Sequence, residues 1–105
     1  MQKFGLQTNR STQFSAVELE IAREQASALG RAGRKLRVSL EHYEKQRHKN
    51  FSQKQEQMCI KEISENLWAL ILQREFLGFC EGNMEWVQKN YFIPDAAINK
   101  LGKLK

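Results

Sequence analysis

Arg74 is the residue whose chemistry most needs explaining. On a helix it falls on the same face as Ile63, Leu67, Leu70 and Ile71, where an unpaired charge is costly. One reading is a buried ion pair or an anion-binding group at an interface, with Glu18, or Glu75 of a second copy, as its partner. The plainer expectation is that its stem packs in an apolar seam while the guanidinium reaches solvent or a carboxylate.

Arg31, Arg34, Lys35 and Arg37 form the densest basic cluster. Arg31, Lys35 and Lys45 project opposite the apolar seam. Such a row suits phosphates, but it equally suits a solvated helix face. No aromatic residue interleaves with the basic ones on that face, so base stacking is not expected there. Residues Glu85 to Leu101 loosely resemble a helix-turn-helix, with Phe92-Ile93-Pro94 as the turn. Phe92 stands where glycine is usual, and the reading helix offers only Asn99 and Lys100 beyond its first turn. Two short helices covering a core are the expected outcome. Leu29-Gly30-Arg31-Ala32-Gly33-Arg34 lacks the preceding strand and the Gly-Lys-Ser/Thr ending of a phosphate loop.

His42 and His48 do not share a helix face, and with Cys59 and Cys80 they give no metal-ligand spacing. No Glu-x-x-His pair is present for a di-metal bundle. A small helical domain leaves little room for a pocket of convergent polar groups. Neither enzyme activity nor a cofactor or metal is expected.

The elements that position these residues follow from periodicity. Residues 1–14 read as a flexible N-terminal arm and 15–105 as a single helical domain. Ser15 with Glu18 forms a capping-box pattern, and Phe14 with Leu19 a hydrophobic staple. Leu19, Ala22, Ala26, Leu29, Gly33, Leu36, Leu40 and Tyr43 then recur at spacings of three and four. This predicts a helix from Ala16 to about Arg47. A break follows at His48 to Phe51, and Ser52 with Gln55 offers a second capping box.

The second helix carries Ile60, Ile63, Leu67, Leu70, Ile71 and Leu77 on one face and Met58, Trp68, Leu72, Phe76 and Phe79 on the other. Such a helix should be covered on both sides. Gly78 or Gly82 ends it. Asn83 caps a short third helix, and Pro94 opens a fourth. The long helices form an antiparallel hairpin. A turn centred on residues 49 and 50 sets position i against roughly 99 − i, which brings Gly33 near Leu67, Leu29 opposite Leu70 and Ala22 opposite Leu77.

The fold class is therefore all-α, a long-helix hairpin with two short C-terminal helices packed on it, dimerising into a bundle. The 105 residues carry a net charge of +5. Residues 1–53 hold ten Lys/Arg against five Asp/Glu, while 54–105 hold seven of each. An excess of this size permits loose attraction to anionic partners without requiring it. Two separated cysteines suit a reducing compartment, and no apolar run is long enough for a membrane. A cytoplasmic protein is expected.

Glu18-Leu19-Glu20-Ile21, Leu29 to Arg34, Leu67-Trp68, Gln73-Arg74-Glu75, Tyr91 and Ile93-Pro94 together resemble a family of small bacterial proteins of unknown function. Phe92 departs from the pattern, which has glycine after the tyrosine. The resemblance implies a helical fold and no assigned activity. The expected function is a non-enzymatic helical interaction or structural protein. Its expected partners are a second copy and an unidentified protein. Weak nucleic-acid binding through the basic face or the C-terminal helices is the alternative.

Overall fold

A computed structural model describes the backbone of residues 3–104 and the side chains of residues 16–102. Among the described residues four helices follow in order: α1 Lys3–Arg47, α2 Gln53–Phe76, α3 Asn83–Asn90 and α4 Asp95–Leu104. The expected all-α hairpin with two short C-terminal helices is what forms. α1 packs on α2, and α3 and α4 pack on α2 as well.

α1 begins well ahead of the expected start. Its backbone is helical from Lys3 through Ser15, so Ser15 does not sit at a helix start. No proline interrupts residues 3–15, so nothing there removes a backbone donor from a continuing helix. The side chains of Phe14 and Ser15, on which the staple and cap rest, lie outside the described residues. At 1.5 Å per residue α1 is about 67 Å long and α2 about 36 Å. The molecule accordingly measures 65 × 22 × 21 Å, with a radius of gyration of 19.0 Å. A compact chain of this length has roughly 13 Å.

The second capping box forms as its residues imply. The Ser52 hydroxyl accepts from the Gln55 amide at 3.1 Å, and the Gln55 side chain accepts from the Ser52 amide at 3.0 Å. At the other end Gly78 adopts φ +98°, the left-handed conformation that glycine reaches without steric cost. The Phe79 amide then bonds the Arg74 carbonyl and the Gly78 amide that of Glu75, each at 3.0 Å. This is a Schellman stop. It swings the chain back towards Arg74.

The hairpin register differs from the expected one. The Asn66 side chain donates to the Lys35 carbonyl at 3.3 Å, and Cys59 Sγ lies 3.8 Å from His42 Nδ1. Both pairs place i against 101 − i, two residues from the expected 99 − i. The turn is centred on Asn50 and Phe51 because Phe51 folds in against Tyr43, ring centroids 5.9 Å apart. The close neighbour of Gly33 is Tyr91 rather than Leu67. A Cβ there would lie 3.3 Å from Tyr91 Oη, so the missing side chain admits the segment that joins α3 to α4.

Leu36, Ile63, Leu67 and Val87 are fully buried, with Ala32, Leu70, Ile71, Ala97 and Leu101 around them. Each fully buried large side chain contributes about 1.5–3 kcal/mol. Ser39 and Ser64, also buried, bond back to the carbonyls of Leu36 and Lys61. Their small size keeps the two long helices close.

Two expectations about coverage fail. Leu19, Ala22 and Ala26 are exposed, because the register brings the end of α2 only level with residue 25 and leaves residues 16–24 of α1 uncovered. The far stripe of α2 is not fully covered either. Met58, Phe76 and Phe79 are 63%, 71% and 47% exposed, while Trp68 and Leu72 are half-buried. Ala97, Leu101 and Val87 pack with Ile60, Ile63 and Leu67 instead, on the side that α1 also uses. Short helices with so few apolar residues extend one core rather than build a second.

Candidate functional site

Arg74 is 9% exposed, and among the described residues it forms no ion pair with a carboxylate. Its Nε donates to Asn83 Oδ1 at 2.7 Å. Its guanidinium lies 3.8 Å over the Trp86 ring and 4.5 Å from the centre of Phe79. Glu75 is exposed beside it, and Glu18 is exposed on α1. Within the chain its neighbours are two aromatic faces and a neutral amide, where solvent or a carboxylate was the plainer expectation. Rings attract a cation through their quadrupole, more strongly once water is excluded.

Asn83 was expected to cap α3. It is instead the first helical residue, behind Gly82 at φ +73°. That places its side chain inward, where it also donates to the Phe79 carbonyl. One amide thus joins the end of α2 to the start of α3, with Arg74 as the third member. This arrangement clamps the corner between α2 and α3. It needs no ligand to satisfy its buried atoms, for no buried polar side-chain atom among the described residues lacks a partner.

The basic cluster does not form one surface. Arg31, Arg34, Lys35 and Arg37 are all exposed. Arg31 donates to Ser27 Oγ at 2.8 Å on its own helix. Arg37 turns the other way, 5.8 Å over the Tyr91 ring. Glu20 and Glu24 continue the Arg31–Lys35 row towards the N-terminus of α1. A phosphate backbone laid along that row would meet both signs of charge.

A groove of about 860 Å³ lies between the C-terminal half of α1 and the segment joining α3 to α4. Arg37, Tyr43, Arg47, Tyr91 and Phe92 line it with Glu41 and Glu44. Phe92 is 99% exposed, and Arg47 sits 6.0 Å over Tyr43. Sequence reading missed this site because Tyr43, Tyr91 and Phe92 come from distant parts of the chain. The one available signal was Gly33, whose small size marks where Tyr91 crosses.

The loose helix-turn-helix pattern becomes α3, an extended link and α4. Ala97 and Leu101 are buried and Ile98 half-buried, so α4 faces the core and leaves Asp95, Ala96, Asn99 and Lys100 outward. The two cysteines are free, Cys59 buried and Cys80 exposed. Burial, with the nearby Glu62 charge, raises the Cys59 thiol above its usual value. Among the described residues no group of three His, Cys, Asp or Glu side chains is arranged to hold a metal. No helix among them is long and apolar enough to cross a membrane.

In comparisons with protein-family models, curated proteins and solved structures, none matches the chain. The functional reading therefore rests on geometry.

Proposed function

We propose that this chain is a non-enzymatic helical interaction protein that works as a homodimer in the cytoplasm. The observation that carries this reading is the exposed stretch of α1 from residue 16 to residue 24. Residues 16–24 are all exposed, with Val17, Leu19 and Ile21 at 58%, 55% and 51%. Most helical stability in proteins comes from tertiary packing of an apolar face. A stretch of helix that exposes Val17, Leu19 and Ile21 calls for a partner. Two free cysteines fit a reducing compartment.

Hydrogen exchange tests the reading. Amide protection of residues 16–27 rises with protein concentration if a second copy covers them. Protection that stays low and independent of concentration overturns it.

One observation favours weak nucleic-acid binding as a second reading. The groove sets Tyr43, Tyr91 and Phe92 beside Arg37 and Arg47, a combination that stacks bases and neutralises phosphates. Glu41 and Glu44 on the same walls oppose it. Fluorescence anisotropy of mixed-sequence DNA and RNA separates the readings, since groove binding falls steeply with salt and is lost in Phe92→Ser.

A further inference from the structure

We infer that α1 pairs antiparallel with α1 of a second copy, through a self-complementary stripe running from Val17 to Val38. The inference rests on the homodimer reading and assigns its surface. Val17, Glu20, Glu24, Ser27, Arg31, Lys35 and Val38 follow one another at spacings of three and four, which is one face of a helix. All seven are exposed, and the stripe points away from the Ala32–Leu36 seam that α2 covers.

Its order is acidic, small, then basic, with valine at either end. A two-fold axis beside the Ser27–Ala28 peptide sets residue i against 55 − i of the second copy. Glu24 then meets Arg31, Glu20 meets Lys35, and Val17 meets Val38, each pair formed twice. Val17 and Val38 are 58% and 62% exposed, and this pairing covers both. Ser27 and Ala28 cross at the centre, where small side chains let the helices approach. An in-register parallel pair instead sets glutamate on glutamate and arginine on arginine. The charge order thus selects a second copy and fixes its direction, as an isologous interface requires.

The stripe is about 32 Å long at 1.5 Å per residue, so the contact is small and the dimer weak. Each exposed ion pair is worth roughly a factor of two to three in association. Four together account for about thirty-fold, most of which is lost between about 50 mM and 500 mM salt.

The experiment uses the full chain in three forms: wild type, Glu20→Lys/Glu24→Lys, and Arg31→Glu/Lys35→Glu. Circular dichroism confirms that all three fold. In sedimentation velocity at low salt the wild type dimerises, each variant alone is monomeric, and an equimolar mixture of the two restores a dimer. Variants that dimerise alone as strongly as wild type overturn the stripe and leave the homodimer reading intact. A mixture that stays monomeric likewise overturns the pairing. A wild type monomeric at every concentration overturns both.

Discussion

Replacing Arg74 with alanine tests the corner between α2 and α3. The guanidinium is 9% exposed, bonds Asn83 at 2.7 Å and stacks 3.8 Å over Trp86. Removing it leaves Asn83 Oδ1 without its donor, at about 1–3 kcal/mol. It also removes a largely desolvated cation–π contact, worth about 2 kcal/mol. The expected loss is about 3–5 kcal/mol, a large share of a small domain's stability. Thermal melting should fall by about 15 °C or more. Arg74→Lys keeps the charge but loses the planar stack and the Nε donor, so it should fall about half as far. Asn83→Ala should also destabilise, and the double variant should be less unstable than the two losses added, because they remove one shared interaction. An Arg74→Ala protein melting within a few degrees of wild type would refute the clamp. So would strict additivity with Asn83→Ala.

Further outcomes follow from other sites. Gly33→Leu should cost about 1–3 kcal/mol in chemical denaturation by displacing Tyr91, whereas Gly33→Ala should stay within about 1 kcal/mol of wild type, helix propensity offsetting the 3.3 Å contact. Cys80 should react with a disulfide reagent at once, and Cys59 only on unfolding. Because burial raises the Cys59 thiol above its usual value, its neutral form persists in the folded state; stability is unaffected below the usual thiol range and falls as pH rises through the folded value. Equal reaction rates for the two thiols would contradict this. Phe92→Ser should leave melting unchanged within about 0.5 kcal/mol, since the ring is fully exposed.

Some local signals in the sequence translated directly into structure, although neither Ser15 nor Asn83 caps a helix start. Ser52 and Gln55 announced the start of α2 because a capping box needs only residues three apart. Gly78, one of the two glycines read as its end, supplies the left-handed residue that the stop requires. Apolar spacing found the Leu36–Leu67 seam. Long-range placement was harder to read. The hairpin register moved by two residues because Phe51 packs inward, which periodicity on either helix does not encode. The far stripe of α2 was read as covered although α3 and α4 extend the same core. Arg74 was recognised as anomalous, but its partner Asn83 was assigned to a helix cap. The sequence marked a polar group at that corner without showing which way the turn at Gly82 aims it.

In the proposed dimer a second copy covers the exposed stretch of α1 from residue 16 to residue 24. Sedimentation equilibrium of the full chain, from low micromolar to near-millimolar concentration at low salt, addresses it most directly. The weight-average mass should rise from the 12.3 kDa of one chain towards twice that value. A mass that stays at 12.3 kDa throughout contradicts the dimer.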